Sequence, residues 1–204
     1  ERRDAVQAFV ESCRYPHQHL GVDPSLPSPP ERLTGATTER DHPARLDPAG
    51  RPLLYPGTRG RGSESEAAAI WGIAQEDYFA RADPWPLNPA GELLLGVKLE
   101  SPEGIANAEA ILAVPGLGFA EMGPGDLGLS LGHVTLQREP YPPAMQAARD
   151  RVFGLCRNFG IAFLDGATPA NIAARIEEGV RVISGRREDT ATLGRRHQRR
   201  AMAV

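Results

Sequence analysis

The C-terminal half of this 204-residue chain predicts an α/β domain built from parallel β-α-β units. Three observations carry that expectation. From residue 92 onward, short apolar runs alternate with helix-forming stretches. The first run, Leu93 to Glu100, ends in a carboxylate and reads as a buried parallel strand. The intervening helices carry proline in their first turns and glycine after their last residues, which are start and stop signals.

The elements follow in order. Residues 4–13 carry apolar side chains at helical spacing, and Pro16 disfavours a helical residue before it, so that helix ends near Arg14-Tyr15-Pro16. Residues 16–62 are rich in proline and glycine with no sustained period, and predict a long loop or insertion. Residues 64–81 return to helix-forming composition, and Asp83 to Pro89 form a rigid turn segment. After the strand at 93–100 come a helix over 102–113, a strand over 118–122 and the loop Gly123-Pro124-Gly125-Asp126. A helix over 142–159 ends at Gly160 and leads into a strand over 161–164. The helix over 168–178 takes Thr168 as its N-cap and Pro169 as its first residue. A strand over 180–183 precedes a polar, arginine-rich tail from Gly185. The chain has no internal repeat and reads as a single domain over 1–204.

Composition bounds the function. A formal net charge of −3 gives no global field for nucleic acid. No apolar run is long enough to span a bilayer, and the charged N-terminus lacks a signal-peptide core. Two cysteines, Cys13 and Cys156, make neither a disulfide framework nor a metal spacing, so a reducing cytoplasm is expected.

Ligands of parallel α/β folds bind at the C-terminal ends of the strands. Glu100 ends one predicted strand and Asp126 follows the next. Neighbouring strands lie about 4.8 Å apart, so the two carboxylates can converge, and they repel unless a cation sits between them. Oxygen ligands with open positions suit magnesium or manganese. On pattern alone, Glu100 is equally well a helix-capping acid and Asp126 a turn former. The glycines from Gly123 to Gly128 allow close backbone approach to an anion, and an ordinary strand-to-helix turn accounts for them too.

Residues 93–132, LLLGVKLESPEGIANAEAILAVPGLGFAEMGPGDLGLSLG, resemble the HpcH/HpaI aldolase/citrate lyase family of class II pyruvate aldolases. The resemblance rests on Glu100-Ser101 at a strand end, on Glu109-Ala110-Ile111 before Val114-Pro115-Gly116, and on Gly123-Pro124 and Asp126-Leu127 followed by Ser130-Leu131-Gly132. Weaker similarity runs back through Trp85-Pro86-Leu87-Asn88-Pro89, Trp71-Gly72, Arg14-Tyr15-Pro16 and Ala8-Phe9-Val10, and forward to about Ile183. It implies a TIM (β/α)₈ barrel, here lacking its N-terminal strands. It also implies a divalent metal, magnesium or manganese with cobalt a third option, held by Glu100 and Asp126.

The family's substrates are pyruvate-like 2-keto acids and an aldehyde, and its members form trimers or hexamers. The resemblance implies that the keto acid chelates a metal that stabilises its enolate, with the backbone at Gly125 and Asp126 holding the substrate carboxylate. The family's catalytic arginine and histidine have no matching position in this chain. Lys98 stands where the family often has glutamine, which implies a substrate-facing side chain. Residues 17–54 look like an insertion, because Tyr55 to Gly60 also matches the segment that follows Arg-Tyr-Pro. Two other readings stay open: cleavage of an acyl-coenzyme A ester, and a catalytically inactive homologue serving as an oligomer subunit.

Other candidates are weaker. His17 and His19 lack a third metal ligand. His133 reads better as an exposed loop residue than as a site residue. Gly57 to Gly62 could cradle an anion but lacks a phosphate-loop ending. Glu121 either supports the site or pairs with a base such as Lys98. Arg195 to Arg200 lacks aromatic interleaving and reads as a solvated tail, with no nucleic acid or membrane partner. Cys156 falls on the apolar side of its helix.

Overall fold

The computed structural model describes residues 2–25, 46–62, 64–185 and 188–200. The chain divides into two compact units. Unit 1 comprises residues 1–96 and 109–118, and unit 2 comprises 97–108 and 119–204.

Unit 1 begins with α1 (Arg3–Ser12), which buries Gln7, Val10 and Glu11. The helix-forming stretch at 64–81 makes two helices, α2 (Glu64–Trp71) and α3 (Gln75–Arg81). Gly72 between them stands at φ +68°, a conformation that costs glycine little and ends α2 there. Tyr15, Ala68, Tyr78 and Ala82 form a small core with Trp71 and Phe79 against it. Below it, fully buried Arg14 donates to Asp83 Oδ1 at 2.7 Å and to the Leu20 carbonyl at 2.7 Å. Asp83 also accepts from Asn88 Nδ2 at 3.0 Å, which fixes the turn segment. Its first residues form β1 (Pro84–Trp85), paired in parallel with β2 (Leu93–Leu94).

The two sides of the predicted insertion meet. Leu54 N–H donates to Gly21 O at 2.8 Å and Asp23 N–H to Leu54 O at 3.0 Å. Arg59 N–H donates to Arg14 O at 2.9 Å, and a Cβ at Gly57 would stand only 2.2 Å from that carbonyl. Gly57 therefore serves a close backbone approach.

Unit 2 holds a four-stranded sheet in chain order: β3 (Gly96–Leu99), β4 (Phe119–Met122), β5 (Ala162–Gly166) and β6 (Val182–Ser184). β4 to β6 pair in parallel, with Glu121 opposite Leu164 and Asp165 opposite Ile183. The expected single strand at 93–100 is thus two. β2 pairs with β1, β3 joins the larger sheet, and Leu95 O between them accepts from Gly118 N–H at 2.8 Å. Only Leu99 of the run is buried, so its apolar composition overstated its burial.

The helix expected at 102–113 breaks at Asn107 into α4 (Pro102–Ala106) and α5 (Ala108–Leu112). Asparagine competes with helix by local hydrogen bonding. The Gly123 loop opens directly into α6 (Pro124–Ser130). The long α7 (Pro143–Phe159) ends as predicted, with Gly160 left-handed at φ +69°. α8 (Ile172–Glu178) starts later than expected. Thr168 Oγ1 donates to Asn171 Oδ1 at 3.1 Å, and Asn171 takes the N-cap position. The tail, expected to be solvated, contains α9 (Glu188–His197). Its acidic first turn and basic last turn suit the helix dipole, and it buries Thr190 and Gly194.

These strands and helices make an α/β fold with parallel pairing, that of a partial barrel. Among the described residues, no helix is long and apolar enough to cross a membrane.

Candidate active site

Carboxylates gather at the C-terminal ends of neighbouring strands in unit 2. Glu100 follows β3, Glu121 lies near the end of β4, and Asp165 near the end of β5.

Glu100 does not cap the helix that follows it. Ser101 does, its Oγ accepting the Gly104 N–H at 3.0 Å. The Glu100 carboxylate turns instead toward Gly123. A Cβ at Gly123 would fall 2.0 Å from Glu100 Oε1, so glycine is required there to admit the acid. Gly123 is the N-cap of α6, and Asp126 lies in that helix's first turn, exposed and without a side-chain partner among the described residues. Ser130 Oγ, at the other end of α6, donates to Glu100 O at 3.2 Å and ties helix to strand.

Lys98 is the cation of this group. Its Nζ stands 3.1 Å from Glu100 Oε1 and 3.6 Å from Glu121 Oε2. The hydrogen bond to Glu100, with the Glu121 and Glu100 charges, holds Lys98 above the usual lysine range. Burial pushes the Glu121 carboxyl up, Lys98 opposes that, and the Glu100 and Asp165 charges add to it. Of the two readings of Glu121, the structure takes pairing with Lys98.

Sequence reasoning missed the neighbouring ion network. Arg149 of α7, 3 % exposed, donates to Asp165 Oδ2 at 2.9 Å and to both Glu178 oxygens at 2.8 Å. Arg175 joins through Glu178 at 2.9 Å and pairs with Glu139. The signal was present, because Phe163-Leu164-Asp165 is an apolar strand ending in a carboxylate, as at Glu100.

The remaining candidates are placed elsewhere. His17 stacks on Tyr15 at 5.8 Å, and Arg59 lies 4.7 Å over the same ring. His133 is half-buried in a loop. Cys156 is core, and burial pushes its thiol up to about 12.

Whether the group fits a metal turns on its donors. Two hard oxygen donors suit a cation that keeps waters and takes substrate oxygens. Lys98 already supplies positive charge beside Glu100, the charge such a seat demands. Among the described residues, no group of three or more histidine, cysteine, aspartate or glutamate side chains is placed to hold a metal.

Residues 1–184 match the model of the HpcH/HpaI aldolase/citrate lyase family. A hydroxypyruvate/pyruvate aldolase of Chromohalobacter salexigens is 42% identical over 95 residues, 46% of this chain and 33% of that protein. One of Pseudomonas aeruginosa is 34% identical over 124 residues, 60% of this chain and 42% of the relative. The chain therefore spans a third to about two fifths of the length of these curated relatives. In fold it is similar to a family protein from Burkholderia cenocepacia, at 24% identity and a TM-score of 0.59, over 98% of this chain and 60% of the other. With its motif at the strand ends and this match over most of its length, the chain belongs to the HpcH/HpaI aldolase/citrate lyase family.

Proposed function

We propose that this chain carries the metal- and keto-acid-binding part of a carbon–carbon lyase that cleaves or forms an aldol adduct of a 2-keto acid with an aldehyde. The observation that carries the reading is the seat of Glu100, turned onto Gly123 at the start of the helix that bears Asp126. Glu100 and Asp126 would hold the divalent cation, magnesium or manganese. Bound there, the cation would supply Lewis acidity at the keto oxygen.

The chain's own groups do the rest. The first N–H groups of α6, at Gly125 and Asp126, lack intrahelical partners and are available to a substrate carboxylate. Lys98 balances Glu100 and Glu121 and offers a cationic side chain, 54 % exposed, to an incoming acid. Assembly into trimers or hexamers belongs to the same proposal and is read by light scattering.

The test is exchange of pyruvate methyl protons with deuterated solvent, followed by NMR with magnesium, manganese or chelator. Metal-dependent exchange is expected for the chain. Glu100→Ala and Asp126→Ala should each lower it by about 10²–10³-fold, the scale for losing a main electrostatic stabiliser of a developing oxyanion. Absence of metal-dependent exchange in the unsubstituted chain would favour the inactive-subunit reading and overturn this one.

A further inference from the structure

Unit 2 contains a cavity of about 540 Å³ between α8, β6 and α9, and Glu100 and Asp126 are not among its lining residues. One wall is aliphatic, from Ile172 and Ile176 of α8 and Ile183 of β6. The cavity is also lined by Arg181, Arg195 and Arg200, and no carboxylate is among the described lining residues. None of the three arginines makes an ion pair among the described residues; the Arg195 guanidinium donates only to Thr192 Oγ1, at 3.3 Å.

A second observation is independent of charge. Thr190 also lines the cavity and is 1 % exposed, yet its Oγ1 has no hydrogen-bond partner. A buried hydroxyl in that state is disfavoured unless a ligand or water pairs with it. The wall beside it is held close: a Cβ at Gly194 would stand 3.1 Å from Ile172 Cγ1, so glycine there lets α9 approach α8.

We propose that this cavity binds an amphipathic anion, a molecule with an aliphatic or aromatic body and one terminal oxyanion. The volume falls in the range of small-molecule sites. The isoleucines take the apolar body out of water. The guanidiniums meet the oxyanion through charge-assisted forks that fit carboxylate and phosphate alike. Thr190 Oγ1 pairs with a polar atom of the ligand. A single cation would serve any surface anion, but three unpaired ones beside an aliphatic wall and an unpartnered hydroxyl select both halves of one molecule.

Calorimetric titration of the whole chain tests this with four probes: octanoate, octyl phosphate, the neutral octanol and the short butyrate. Saturable binding of octanoate, octyl phosphate or both is expected, at one per chain, and the stronger of the two identifies the anion. Octanol and butyrate should bind at least about 10-fold more weakly. The double variant Arg181→Gln/Arg200→Gln alters exposed side chains and should keep the melting temperature while losing affinity about 10-fold. Thr190→Val replaces the hydroxyl by a methyl group of similar size and should weaken binding severalfold without lowering the melting temperature. No saturable binding, octanol binding as well as octanoate, or unchanged affinity in both variants would overturn the proposal. So would octanoate acting only by dissociating dimers in light scattering, which would make this face an interface between copies of the chain.

Discussion

Individual residues here are set by what surrounds them more than by their type. Arg14 is an extreme case: fully buried, it spends its donors on Asp83 and the Leu20 carbonyl. Removing one member of such a pair strands the other charge, so Arg14→Ala should destabilise by about 3–5 kcal/mol in denaturant melts. A loss under about 1 kcal/mol would show that water reaches Asp83. Cys156 is governed by burial alone, which pushes its thiol up to about 12. It should resist thiol reagents at pH 8 in the native chain and react only on unfolding, as mass labelling across a urea series would reveal. For Glu100, the sequence left capping and ligation open. Capping is removed by Ser101 taking the N-cap, and Gly123 gives the acid room to turn; neither is visible from Glu100 itself.

At the level of elements, start and stop signals read well and continuity read poorly. Gly160 ended α7 where its sequence placed it, because a left-handed residue needs glycine whatever lies nearby. Gly160→Ala should therefore cost about 1 kcal/mol in thermal unfolding. The apolar run at 93–100 read as one strand because composition does not say which neighbour each residue pairs with, and two sheets claim it. α9 was missed because its apolar contacts are few, and Thr190 and Gly194 bury against a surface that only folding creates. α7 and α8 are joined by charge. The Arg149 hydrogen bonds hold Glu178 below the usual carboxylate range, against its burial. A depressed folded value means that the stabilisation is present above the ordinary glutamate pKa and is lost as pH falls through the lower one. Glu178→Gln should thus be less stable than the native chain at pH 6, with the gap closing in acid below about pH 4. A gap that persists unchanged to pH 2 would mean packing, not charge, accounts for it.

Across the whole molecule, both proposed metal ligands fall in unit 2. A ligand that binds only the folded state stabilises it, by about 2.7 kcal/mol at a hundred times its Kd. Manganese should therefore slow amide exchange chiefly in residues 97–108 and 119–131, as hydrogen-exchange mass spectrometry would map. Protection confined to unit 1 would contradict Glu100 and Asp126 as the seat. The sequence by itself determined the α/β class, the order of its later strands and helices, and the family, through the stretch at 93–132. Those features rest on local periodicity, on turn chemistry and on a motif whose residues stand close together in the chain. Only the tertiary structure decided that Ser101 frees Glu100, that Lys98 bridges Glu100 and Glu121, that Arg149 gathers Asp165 and Glu178, and that α8, β6 and α9 enclose a cationic cavity. Each of these depends on contacts between residues far apart in sequence, or on which of several adjacent side chains reaches a partner first. No periodicity encodes either.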